Sequence, residues 1–382
     1  MTRKEFLQQL AAGWMSSMLP LRENAAAGAT PTAGSSLLIP YPAKPWGQAT
    51  QIVGTRPQVA LTLLKGKAPG LDRTPLYNDF CMVQGSDGIW HCIGILFEGH
   101  SQAEFRQDRL FHYVADSVQG PYRSVGYLDL GYGKEAGVWA PCIVRDGQRT
   151  LMYYAHAGKE RMSIRLAQSE DAQLTRWRRG AGGKEVLGVE EGDRDPEVIK
   201  DERTGLYLMY YVCSVKSDND WKQVVRVRTS SDLLNWSEPR TVLGTPTGYR
   251  AAESVFVLQK NEHYYLWVSS AADDGVMSLY VSTDPFNFGD AVANRLEEQP
   301  GHAPEIVRSG GQYWMACVAI ASVSGLDTAK QHDLEGVWIQ PLEWRAATPE
   351  MKAKVVRSSA PGAKVAASTA LFNRNTSLES EK

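Results

Sequence analysis

The sequence predicts an all-β fold, a five-bladed β-propeller of four-stranded antiparallel blades around a central funnel. Three observations carry that expectation. One short pattern recurs five times along the chain. Each copy is followed by a turn signal and further strand-like runs. No helical period intervenes between Asp79 and Trp344.

The recurring pattern is a small or acidic residue, two variable residues, and then two or three apolar residues. Its copies begin at Asp79, Ala140, Asp195, Glu253 and Ala303, spaced 61, 55, 58 and 50 residues apart. Turn signals follow at Ser86–Gly88, Asp146–Gly147, Arg203–Gly205, Lys260–Glu262 and Gly310–Gly311. Second runs, dense in aromatic and β-branched residues, read as strands over Ile89–Phe97, Thr150–His156, Leu206–Cys213, His263–Ser269 and Gln312–Val318. Third runs cover Leu110–Ala115, Met162–Ala167, Val224–Thr229, Met277–Ser282 and Gly336–Pro341. Repeats of this length made of three or four short strands are propeller blades. A β-sandwich would not repeat one pattern five times, and a β-helix repeat is much shorter. A closing strand for the last blade is expected before Asp79, around Gln58–Leu64. The propeller is expected over residues 29–345, with a poorly ordered Ala-, Ser- and Lys-rich tail over 346–382.

The 382 residues carry a net charge of -2, which argues against a nucleic-acid partner, since such proteins show a basic domain or stripe. No apolar run is long enough to span a membrane. The 11 Trp and 16 Tyr suit sheets, and they suit sugar binding, where ring faces stack on C–H faces. Residues 1–28 read as an export signal: Arg3 and Lys4 precede Phe6-Leu7, a moderately apolar stretch follows, and Ala25–Gly28 offers small residues for cleavage. The protein is therefore expected in the periplasm or outside the cell; an amphipathic N-terminal helix is the other reading. Cys81, Cys92, Cys142, Cys213 and Cys317 are scattered in apolar runs with no zinc spacing, and each is expected to be a buried free thiol.

In a propeller the first strand of each blade lines the central channel. On the sequence pattern, the first slot of the repeat holds Asp79, Ala140, Asp195, Glu253 and Ala303. Three carboxylates converging in one funnel repel one another and lose hydration, which raises the pKa of at least one. Cleavage of a glycosidic bond uses such a set, with one protonated acid for the leaving oxygen and one ionised carboxylate.

Five short pieces carry a resemblance: Asn78-Asp79, Val138 to Pro141, Arg194 to Pro196, Ala252 to Ser254, and Gly301 to Glu305. In their order and spacing the chain resembles glycoside hydrolase family 43 first and family 32 second, over about Leu76–Trp344. The family 43 resemblance implies that Asp79 is the general base, Asp195 the residue that tunes the acid, and Glu253 the general acid of an inverting hydrolase. It implies that the substrate is a plant, algal or host carbohydrate. Asn78, Trp139, Arg194, Arg250 and His302 are the implied substrate-binding residues, with Trp139 as a stacking platform. No cofactor is required; the one metal the resemblance suggests is a structural calcium near His302. Under family 32, Asp79 would be a nucleophile and the outcome retention. A non-catalytic glycan-binding propeller is the remaining alternative. Phe80 and Cys81 depart from both families, which place Pro after the first-blade Asp.

Overall fold

The computed structural model describes residues 36–54, 76–97, 107–133, 136–147, 149–158, 162–180, 186, 192–217, 220–246, 249, 252–270, 275–318 and 336–359. The export signal expected over residues 1–28 and the closing strand expected around Gln58–Leu64 lie outside them.

The described residues form five sheets, antiparallel except for one edge strand. Two N-terminal strands come first, β1 (Leu38–Pro42) and β2 (Thr50–Val53). Blade one is β3 (Leu76–Gln84), β4 (Trp90–Phe97), β5 (Arg109–Ala115) and β6 (Arg123–Asp129). Blade two is β7 (Gly137–Asp146), β8 (Arg149–Ala157), β9 (Met162–Ser169) and β10 (Trp177–Arg179). Blade three is β11 (Arg194–Lys200), β12 (Tyr207–Ser217), β13 (Asp220–Ser230) and β14 (Arg240–Gly244), and the short β18 (Gly289–Asp290) adds in parallel to its edge. Blade four is β15 (Ala252–Lys260), β16 (His263–Ser270), β17 (Val276–Ser282) and β19 (Glu297–Pro300). Blade five is β20 (His302–Ser309), β21 (Gln312–Val318) and β22 (Val337–Ala346), completed by β1 and β2. The first strands pack in a closed ring, β3 on β7, β7 on β11, β11 on β15, β15 on β20, and β20 back on β3.

The last blade is thus closed by the chain before Asp79, as expected, but by residues 38–53. β1 pairs with β22 from Leu38↔Ala346 to Pro42↔Leu342, and β2 pairs beside it at Thr50↔Ile339. Pairing the first and last strands in one sheet ties the ring shut, and each blade keeps only a short outer edge.

Between the blades lie apolar slabs, and the second strand of each blade feeds two of them. Tyr153 and Tyr154 are fully buried on opposite faces of β8, one against blade three and one against blade one. Tyr210 and Tyr211 do the same for β12, and Tyr264 and Tyr265 for β16. Alternation with period two sends neighbouring rings to opposite faces. Because the core sits between blades, the axis is left free of it.

Turn chemistry follows the sequence. Between Ser309 and Gln312, Gly310 and Gly311 have φ of 57° and 82°, the double positive φ of a two-residue hairpin turn. Ser214–Ser217 and Asp220–Gln223 extend the ladder of β12 and β13, paired from Ser214↔Gln223 to Ser217↔Asp220.

The stretch expected as tail from residue 346 begins with a helix, α1 (Pro349–Ser358). Thr348 caps it, its Oγ1 accepting from Met351 N at 3.2 Å, and Pro349 opens its first turn. Val355 is buried, and Ser358 Oγ donates to Val281 O at 3.1 Å, fixing the helix to blade four. Composition hid this helix because its stability comes from one docked face.

Candidate active site

Each first strand breaks register at the same level. The breaks lie between Tyr77 and Phe80, Trp139 and Cys142, Arg194 and Glu197, Glu253 and Phe256, and His302 and Glu305. Each is a bulge of two residues opposite the partner strand. The leading bulge residue is left-handed in four blades, with φ of 45° at Ala140, 55° at Asp195, 44° at Ser254 and 47° at Ala303. Such bulges bend a strand and re-aim its side chains, and they cluster beside functional sites.

This geometry corrects the alignment expected from the repeat. The leading position holds Asn78, Ala140, Asp195, Ser254 and Ala303. Glu253 stands one residue before it and Asp79 one residue after it. The three carboxylates therefore do not share one slot; they approach from three successive positions of the bulge. A pattern of acidic and apolar residues tolerates a shift of one, and the extra bulge residue hides that shift.

The bulges surround a narrow axial recess of about 30 Å³, lined by Asp79, Ala140, Asp195, Ser254 and Ala303, with Glu197 and Glu305 further along their strands. Asp79 and Asp195 are 9% and 5% exposed. Ser254 Oγ donates to Asp79 Oδ1 at 2.6 Å, and Ser254 N donates to Asp195 Oδ2 at 2.9 Å. His302 Nε2 lies 3.3 Å from Ser254 Oγ and 3.6 Å from Asp79 Oδ1. Arg194 joins the other two acids, its Nε 3.2 Å from Asp195 Oδ2 and its Nη2 3.7 Å from Glu253 Oε1. The same Nη2 donates to Ala252 O at 3.0 Å, which anchors the guanidinium to the strand of Glu253.

Electrostatics separate the acids. Burial, then the negative charges of Asp195 and Asp79, push Glu253 up to about 6, while Arg194 and His302 oppose the rise. Burial also raises Asp195, against Arg194, the Ser254 N–H and His302, with the Asp79 charge adding to the rise. A carboxyl that keeps its proton near neutral pH can act as an acid.

Two functional-looking residues were missed. Glu197 is buried and Glu305 half-buried in the channel wall, and Met82 N donates to Glu305 Oε2 at 3.3 Å. Burial pushes Glu197 up to about 8 against the Cys142 hydrogen bond; burial and the Glu197 charge push Glu305 well up. Their signal was visible, since Pro-Glu follows the leading bulge residue in blades three and five. Ser254 was quoted in the sequence pattern without a role.

Asn78 is half-buried at the leading bulge position of blade one. Trp139 is half-buried on β7, its indole lying back over Gly137, where an added Cβ would come within 2.7 Å of Nε1. Blade two lines the recess with Ala140 and Pro141 rather than with Trp139. Arg250 lies outside the described residues. Among the described residues no three His, Cys, Asp or Glu side chains form a metal-binding group. The five cysteines are free and buried, as expected.

Fold and site together define the class: a five-bladed propeller with carboxylates converging on its axis. Residues 128–349, more than half of the chain, match the family described as Glycosyl hydrolases family 43. The chain belongs to that family, which decides between the two families it resembles. Asp195, Glu253 and His302 fall inside the matched span; Asn78 and Asp79 precede it.

The probable arabinan endo-1,5-alpha-L-arabinosidase C of Aspergillus flavus is 24% identical over 174 residues, covering 42% of this chain and 52% of that protein. The protein of the same name from Aspergillus oryzae matches equally. The chain spans about half the length of these curated relatives. Among solved structures, a thermostable family-43 glycoside hydrolase superposes with a TM-score of 0.54 at 14% identity, over 74% of this chain and 98% of that one. A beta-xylosidase/alpha-arabinofuranosidase from a compost microbial metagenome, in complex with xylotriose, gives 0.52 at 17% identity, over 72% and 94%. At these identities the likeness shows the fold.

Proposed function

We propose that the protein is a glycoside hydrolase acting on a plant polysaccharide or an oligosaccharide from it, with arabinofuranosyl- or xylosyl-containing glycans as the first candidates. The observation that carries this reading is the cluster of carboxylates at the funnel: Glu253, raised to about 6, stands with buried Asp195 and Asp79 around Arg194, Ser254 and His302. The names of the relatives, an arabinan arabinosidase and a xylosidase/arabinofuranosidase, support the sugar class.

The proposed reaction is a single displacement. Water attacks the anomeric carbon and gives its proton to Asp79. The bond from that carbon to the leaving oxygen breaks, and Glu253 delivers its proton to that oxygen. Asp195 and Arg194 set the charge around Glu253. Asn78 and Trp139, half-buried at the bulges of blades one and two, are the residues offered to a sugar standing above the recess. The configuration at the anomeric carbon inverts.

Glu253→Gln tests the assignment. On linear arabinan and on chromogenic arabinofuranosides and xylosides, kcat should fall by roughly 10²–10⁴-fold, with an unchanged melting temperature. Near wild-type turnover would sink the acid role. Proton NMR of the first-formed sugar reports inversion directly. We also propose export; N-terminal sequencing of protein recovered from the periplasm or medium should find residues 1–28 removed.

A further inference from the structure

We propose that Ser254 is the positioning residue of this site, holding the base Asp79 from across the axis and fixing it relative to the acid Glu253. The inference rests on the hydrolase reading and deepens it.

Ser254 stands in blade four and Asp79 in blade one, which are not neighbours in the ring; blade five lies between them. The hydroxyl nonetheless reaches Asp79 Oδ1 at 2.6 Å. That length is at the short end of the range for a hydroxyl donating to an oxygen. Ser254 is 6% exposed, so the bond is shielded from water. A hydroxyl has one proton and can also accept. With its proton on Asp79, Ser254 Oγ is an acceptor for His302 Nε2–H at 3.3 Å. The chain then runs from His302 through Ser254 to Asp79 and pins Oδ1. The other carboxylate oxygen, Oδ2, is thereby the one assigned to the attacking water.

The backbone of the same residue fixes the second acid. Ser254 N–H donates to Asp195 Oδ2 at 2.9 Å, and this needs the left-handed φ of 44°. Ser254 directly follows Glu253, so one bulge carries the acid, ties the modulating carboxylate through its N–H and holds the base through its hydroxyl. The distance between acid and base, on which the chemistry depends, is set by that bulge. Blades two and five place Ala140 and Ala303 at the same position with φ of 45° and 47°, so the backbone forms without the hydroxyl. The bulge backbone therefore does not require the serine.

Ser254→Ala is therefore the clean test, since alanine already occupies this conformation twice in the ring. On the substrate that the wild-type enzyme cleaves best, kcat should fall roughly ten- to hundredfold, as loss of a hydrogen bond to a charged group implies. KM should stay within about twofold, because the Ser254 hydroxyl is spent on Asp79 and His302, and the melting temperature should fall by a few degrees at most. An unchanged kcat in Ser254→Ala, with Asp79→Asn and Glu253→Gln both inactive, overturns the role of Ser254 and leaves the hydrolase reading standing. A fall in kcat accompanied by an equal rise in KM and a larger fall in melting temperature also overturns it, as a merely structural effect. A wild-type protein without turnover on any glycan of the panel overturns the hydrolase reading, and the role of Ser254 with it.

Discussion

Arg194 sits 3.7 Å from Glu253, guanidinium Nη2 to carboxylate Oε1, and spends its Nε on Asp195 at 3.2 Å. One cation from blade three thus serves two carboxylates from two blades. It works against the desolvation and the like charges that raise Glu253.

Removing that cation should move the pH profile in a defined direction. With Glu253 at about 6, kcat/KM of the wild-type enzyme should fall as pH rises through about 6, because the acid loses its proton. Arg194 favours the charged form. In Arg194→Met the alkaline limb should therefore move up by about one pH unit, even as kcat drops. A limb that stays in place or moves down would show that Arg194 does not govern Glu253.

Glu197 makes stability depend on pH. Its folded pKa of about 8 lies above its ordinary 4.5, so its contribution is complete below about 4.5 and is lost as pH rises through about 8. Glu305, raised by burial and by Glu197, acts in the same sense. Thermal melts from pH 5 to 9 should show wild type losing stability with rising pH. Glu197→Gln should flatten that slope and melt several degrees above wild type at pH 8–9. Parallel curves for the two proteins would refute it.

Gly301 fixes the residue beside it, His302. Its φ is 125°, and an added Cβ would lie 2.8 Å from Cys317 Sγ and 3.1 Å from Met277 Cε. Gly301→Ala should cost about 1–3 kcal/mol from strain and overpacking, seen as a lower denaturation midpoint. Activity should fall further than stability does, because His302 moves with the backbone.

The C-terminal helix should matter for stability and not for chemistry. Ending the chain after Ala347 removes α1, the buried Val355 and the Ser358 hydrogen bond to Val281. The loss should be about 2–3 kcal/mol from those terms, with kcat at moderate temperature unchanged. A truncated protein of full thermal stability would show that the docked face adds nothing.

The sequence by itself determined the repeat, the strands, the aromatic alternation that fills the space between blades, and the presence of acids near the axis. All of these are local: a period of two, a turn residue, a carboxylate followed by apolar residues. What the tertiary structure decided is not local. A bulge inserts an extra residue that a period of two does not register, so the slot that seemed to hold Glu253 holds Ser254. The bond from Ser254 to Asp79 joins residues 175 positions apart, and closure of the ring by residues 38–53 pairs the two ends of the chain. Carboxylates can be read from a sequence because their type is written there. Their spacing and their charge state come from which side chains the closed ring brings to the axis, and that brought Arg194 to Glu253 and Ser254 to Asp79.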